Sequence, residues 1–173
     1  MSNRSSEDAA LVRDWAAVVR GVDAVQHGFA VRLEALDMTL PYFAVLTLLL
    51  ESEEQRLPMS RIARDLAMTS GGFTKLADRM ARDGLIDRRG SSGDRRVVFA
   101  ALTDAGKDSA RAAMDAYHRY LHEQVLPVVP EADLSTASEI LGRLAQARAN
   151  AEEVPPFELT PRPSTAPERR ADD

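Results

Sequence analysis

Cysteine is absent from the 173 residues, which removes disulfides, thiolate zinc sites and cysteine-based redox sensing on chemical grounds. Also missing is any apolar run near the roughly 20 residues that a helix needs to cross a bilayer. The densest stretch, Phe43 to Leu50, is interrupted by Thr47. Residues 1–8 are polar, with neither the basic segment nor the apolar one that directs export. We therefore expect a soluble, cytoplasmic protein without membrane association. Signatures of catalysis are lacking too: no P-loop, no Gly-x-Ser-x-Gly, no nucleophile with a recognisable base. Neither an enzyme nor a cofactor is expected. His118 and His122 stand four apart beside Glu123, a spacing that suits a metal. No third ligand follows from the chain, so they read as solvated helix-face histidines and no metal site is assigned.

Net positive charge is lacking as well, since 22 Lys and Arg face 27 Asp and Glu for a total of -5. Phosphate backbones demand cations, so the total alone argues against a nucleic-acid partner. Distribution matters more than the total. Between Arg56 and Lys107 the count is 11 Lys and Arg against 6 Asp and Glu, so the middle of the chain is basic and both flanks are acidic.

What is present is helical periodicity. Leu11, Trp15, Val18, Val22, Val25, Phe29 and Leu33 recur at steps of four and three, one stripe of a long helix. A second apolar helix is expected from Leu40 to about Leu50, with Pro41 tolerable in its first turn. A short third runs from about Met59 to Ala67 and buries Ile62, Ala63 and Leu66. A fourth starts at the N-cap Thr69, buries Phe73, Leu76, Ala77 and Met80, and stops at Gly84. Two β-rich runs, Leu85 to Arg89 and Arg95 to Ala100, then flank a Gly/Ser/Asp turn and read as a hairpin. Thr103 caps the next helix, with Ala110, Met114, Tyr117, Leu121 and Val125 on its apolar stripe. A last helix spans about Glu131 to Asn150.

The expected fold is therefore mainly α with a small β-hairpin wing: a winged helix-turn-helix with a helical dimerisation region. Residues 1–8 read as a flexible N-terminus, 9–36 and 103–150 as the dimerisation region, and 37–102 as the winged helix-turn-helix lobe. Residues 151–173, with five prolines among charges, read as a disordered tail because they offer too little apolar surface to offset chain entropy.

The basic centre and the helix pair coincide. A helix entering a groove about 12 Å wide needs small or polar residues on its exposed face, and the face opposite Phe73, Leu76 and Met80 offers Ser70, Gly71, Thr74 and Lys75. The hairpin adds Arg88 and Arg89 on one strand and Arg95 and Arg96 on the return, a set suited to the negative potential of a narrow minor groove. Asp94, at the tip, is expected to pair with a neighbouring arginine and order the wing.

These residues also carry a resemblance. Ser60 to Leu66, Phe73 to Met80, Asp83-Gly84-Leu85-Ile86-Asp87-Arg88, Gly93-Asp94-Arg95-Arg96 and Leu102-Thr103-Asp104-Ala105-Gly106 together resemble the DNA-binding core of the MarR family, the multiple antibiotic resistance regulators. The likeness spans about residues 11–149 in helix order. It implies a sequence-specific DNA-binding transcriptional regulator, usually a repressor relieved by a small-molecule effector. It also implies Arg96 as the wing arginine in the minor groove, Asp94 as the acid ordering the wing, and Thr74 and Lys75 as recognition-helix contacts. The sequence departs at Gly71 and Gly72, where family members often carry longer polar side chains.

The family dimerises through its first and last helices, and the unpaired stripes on the terminal helices here ask for the same. The expected partners are thus a second copy and double-stranded DNA carrying a pseudo-palindromic operator. By resemblance, Trp15, Tyr42, Phe43 and Tyr117 are candidates to line a pocket for a small aromatic effector; the alternative for these four is a place in the core. The alternative reading is a winged-helix protein-interaction module that does not bind DNA. A polar helix face beside a basic wing argues against it, since a protein interface favours exposed aromatics.

Overall fold

The computed structural model describes residues 2–90 and 97–150, with side chains described within 6–90 and 97–147. The chain opens with a 33-residue helix, α1, Ser2–Glu34. It therefore begins well before Leu11, the first position of the apolar stripe, and the boundary drawn at residue 9 does not appear in the backbone. Residues 2–8 contain no Gly or Pro, so nothing local stops the helix from extending through them. Asp37, at φ 49, turns the chain out of α1. Thr39 then caps α2, Leu40–Glu51, its hydroxyl accepting from the Tyr42 N–H at 3.5 Å.

A strand follows that the sequence pattern did not reveal: β1, Arg56–Pro58. Three residues are too few for an alternation to register, and Pro58 also opens the next helix, α3, Met59–Asp65. Proline is tolerated there because β1 lies at a sheet edge. Helix α3 ends two residues short of the expected Ala67, which itself sits at φ 52 and so cannot continue a right-handed helix. Helix α4 spans Ser70–Arg82 with Thr69 as its cap, accepting from the Gly72 N–H at 3.1 Å. Gly84, at φ 74, supplies the left-handed residue after it.

Strands β2, Ile86–Gly90, and β3, Val98–Leu102, form the expected hairpin. With β1 they make an antiparallel sheet of order β1-β3-β2, with Leu57 opposite Ala100 and Arg88 opposite Ala100 on the other side. Thr103 caps α5, Asp104–Tyr120, accepting from the Gly106 N–H at 2.9 Å. Gly106 is required at that point: a Cβ there would run into the Leu85 carbonyl. A π-helical turn, Leu121–Val125, extends α5, and α6 spans Glu131–Asn150.

The chain divides into two units, Met1–Val129 and Pro130–Asp173. In the first, Phe29, Leu33, Val45, Leu46, Leu49, Ile62, Phe73, Met80 and Ile86 are fully buried. The apolar stripe of α1 splits: Phe29 and Leu33 belong to this core, whereas Leu11, Trp15, Val18 and Val22 are exposed. In the second unit, α6 exposes Leu134, Ile140 and Leu144. Among the described residues no helix is long and apolar enough to cross a membrane. The segment expected to be a tail, 151–173, lies outside the described residues.

Candidate nucleic-acid interface

Helix α4 has its two faces sharply sorted. Phe73, Leu76, Ala77 and Met80 are buried, a step of three and four that seats the helix on the core. Ser70, Gly71, Thr74 and Lys75 are all exposed on the opposite side, where the sequence pattern placed them. That face continues beyond the residues singled out from sequence, to Asp78, Arg79 and Arg82, which with Lys75 border a shallow groove of about 370 Å³. Spacing alone was enough to find them, since 78, 79 and 82 continue the series begun by 71, 74 and 75.

The start of α4 explains one of its glycines. A Cβ on Gly72 would stand 2.9 Å from the Thr69 hydroxyl oxygen, the atom that caps the helix, so a side chain there would disturb the cap. Gly71 faces open space. Thr74 donates its hydroxyl proton to the Ser70 carbonyl at 2.8 Å, leaving its oxygen lone pairs and its methyl group to meet a ligand. On α3, Arg61 and Arg64 add two exposed guanidiniums, both close to Asp65 at 3.3 and 3.4 Å.

The two described wing arginines, Arg88 and Arg89, point apart. Successive side chains of a strand point to opposite faces, so Arg88 shares a face with the buried Ile86 while Arg89 shares the other with Asp87. Arg88 is accordingly drawn against α4, where its guanidinium is hydrogen-bonded to Asp78. That pairing ties the base of the wing to the exposed face of the helix. Arg89 pairs with Asp87 at 2.7 Å and lines a separate polar groove with Arg56, Phe99 and Lys107. Asp94, Arg95 and Arg96 lie outside the described residues.

The four residues proposed for an effector also part company. Phe43 and Tyr117 line an apolar cavity of about 590 Å³, together with Val25, Phe29, Leu48 and Met68. Their rings are 5.3 Å apart, and Phe29 contacts both, at 5.0 and 4.5 Å. Burial raises the pKa of the Tyr117 hydroxyl above the ordinary tyrosine value, and the neighbouring Tyr120 adds to the shift. Tyr42 and Trp15 are not among the walls of this cavity. Tyr42 instead donates its hydroxyl to Asp83 Oδ2 at 2.7 Å, and Trp15 sits on the exposed stripe of α1. Helical spacing gives the face of a residue but not the element that the face meets. Tyr120, not singled out from sequence, is buried against α1 and donates to the Val25 carbonyl at 2.9 Å. It reaches that oxygen because Gly28 leaves room for its ring. His118 and His122 are exposed, and no group of three potential metal ligands occurs among the described residues.

A family model described as MarR family matches residues 36–97. The relative named uncharacterized HTH-type transcriptional regulator YfiV, from Bacillus subtilis (strain 168), is 28% identical over 137 residues, covering 79% of this chain and 84% of its own length. Among solved structures, Sco3205, a MarR family transcriptional regulator from Streptomyces coelicolor in complex with DNA, aligns with a TM-score of 0.75 at 21% identity, over 83% of this chain and 91% of that one. NadR in complex with 4-hydroxyphenylacetate aligns at 0.66 and 20% identity, over 76% and 91%. At these identities the structural likeness speaks for the fold, a mostly helical chain with a small antiparallel sheet.

Proposed function

We propose that this chain, which a MarR family model matches over residues 36–97, is a sequence-specific DNA-binding transcriptional regulator. It represses by occupying DNA and is relieved by a small-molecule effector. The observation that carries the reading is the exposed face of α4, where Ser70, Thr74, Lys75, Arg79 and Arg82 stand together with no aromatic among them. In a major groove, small hydroxyls suit base edges and the flanking cations suit phosphates. The wing supplies Arg95 and Arg96, with Asp94 ordering them. Arg88 serves as the brace between wing and helix, and Arg89 as a lesser, backbone-directed cation.

The functional unit is a homodimer. Its support lies in the large apolar side chains exposed on α1 and, separately, on α6, which a second copy would remove from water. Two-fold symmetry then requires a pseudo-palindromic operator with half-site centres about 10 bp apart. The cavity holding Phe43 and Tyr117 is of a size and lining that suit a small aromatic molecule, the class of ligand that NadR holds. Selecting bound fragments from genomic DNA, followed by gel shift on the fragments recovered, tests the reading. Enrichment of a pseudo-palindrome is expected. Recovery of no preferred sequence, or of an asymmetric single half-site, would overturn it.

A further inference from the structure

Leu40, Pro41, Phe43 and Ala44, at the start of α2, all wall the aromatic cavity. Tyr42, in their midst, is aimed elsewhere and reaches 41 positions along the chain to donate to Asp83. Asp83 is the residue at which α4 ends, and after it Gly84, at φ 74, turns the backbone into β2. One hydrogen bond thus connects a wall of the cavity to the junction between the two elements that face DNA.

The mechanical setting favours transmission along this connection. The later turns of α2 are anchored by Val45, Leu46 and Leu49, each fully buried, whereas Leu40, Tyr42 and Phe43 are only half-buried. Packed interiors yield least where they are densest, so material added inside the cavity displaces the first turn of α2 before the rest. At the other end, Met80 is the last buried anchor of α4; Ala81 is half-buried and Arg82 and Asp83 are exposed. The end of α4 is therefore the part of the helix that a single hydrogen bond is able to hold or release.

We propose that the Tyr42–Asp83 hydrogen bond is the positioning contact through which occupancy of the cavity reaches the DNA-facing helix and the wing behind it. Tyr42 is not among the residues lining the cavity; it acts through Asp83. The proposal rests on the reading of α4 as a DNA-binding element, and its test is built so that the two fail separately.

A cavity-filling substitution, Ala44→Leu, stands in for a ligand, with Ala44→Val as a smaller filler should the first not fold. Each is placed in the full-length wild type, in Tyr42→Phe, in Asp83→Ala and in Asp83→Asn, which keeps a carbonyl acceptor for the tyrosine hydroxyl. Two quantities are read: affinity for the selected operator fragment, and amide hydrogen exchange across residues 79–86 without DNA. Filling the cavity is expected to change affinity about fivefold or more in the wild type, the lower end of usual coupling strengths, and to alter exchange at the junction. Both responses disappear in Tyr42→Phe and Asp83→Ala and persist in Asp83→Asn. An equal response in Tyr42→Phe, no exchange response in the wild type, or an Asp83→Asn that behaves like Asp83→Ala overturns the proposal. If no variant binds DNA, the functional reading has failed, and the exchange data alone decide the hydrogen bond's role.

Discussion

Along α1, the positions Leu11, Trp15, Val18 and Val22 and the positions Val25, Phe29 and Leu33 follow the same step of four and three. Yet Phe29 and Leu33 are 1% and 0% exposed while Leu11 and Trp15 are 70% and 53% exposed. The downstream end meets its own lobe: Phe29 packs on Phe43 and Tyr117, and Tyr120 bonds to the Val25 carbonyl. The upstream end presents the same kind of surface without such a cover. One periodic stripe thus serves two jobs, folding at one end and, in the function proposed here, association at the other. Periodicity reports that a face needs covering; it does not report whose surface covers it.

That division is open to direct attack. Phe29→Ala should produce the largest effect, a loss of about 3–5 kcal/mol of folding stability, because it empties the centre of an aromatic cluster. Chemical denaturation would measure it, and a cost near that of a surface substitution would erase the distinction between the two ends of α1.

The converse lesion, Leu11→Asp with Trp15→Asp, should leave helix content and the lobe's unfolding midpoint nearly intact. It should weaken self-association by about 2 kcal/mol or more, as removal of an interface aromatic does. Light scattering at micromolar concentration would follow the fall from twice the chain mass towards 19.0 kDa. If the double variant stayed at the wild-type mass, the upstream stripe would have no part in association.

Arg96→Ala sharpens the comparison by sparing both ends. Operator affinity should drop by about 1–3 kcal/mol with a shallower dependence on salt, while stability and association stay as they were. A salt slope identical to wild type would remove the wing from the DNA interface.

The smallest expected effect concerns Tyr117. Burial raises its folded-state pKa above 10.0, so the folded protein holds this proton more tightly than the unfolded chain does. The stability that follows is fully present below the unfolded value and is lost as pH rises through the higher folded one. Tyr117→Phe should therefore flatten the decline of the thermal midpoint on the alkaline side. An unchanged decline would mean that other groups govern it.

Much of the site was legible because its signals are local. The buried face of α4 and its polar opposite follow from spacing within 13 residues, and Thr69 and Thr103 declare their helices by caps three residues long. What the sequence left unread falls where a second element decides. Strand β1 exists because β3 offers it hydrogen-bonding partners; by itself Arg56-Leu57-Pro58 has no pattern to read. Tyr42 and Trp15 carry the aromatic character expected of a pocket wall, but the cavity formed around Phe43 and Tyr117 instead.

The sequence by itself determined the order of the helices, the hairpin after α4, the basic centre and the polar face that meets solvent there. These depend on the 3.6-residue turn, the two-residue pleat and the chemistry of caps, all of which act over a few positions. Only the tertiary structure decided that Arg88 braces against Asp78 while Arg89 turns away, that Tyr42 reaches Asp83, and that Phe29 is core where Trp15 is surface. Each of those outcomes depends on which distant segment arrives at a given face, and no local pattern encodes the arrival.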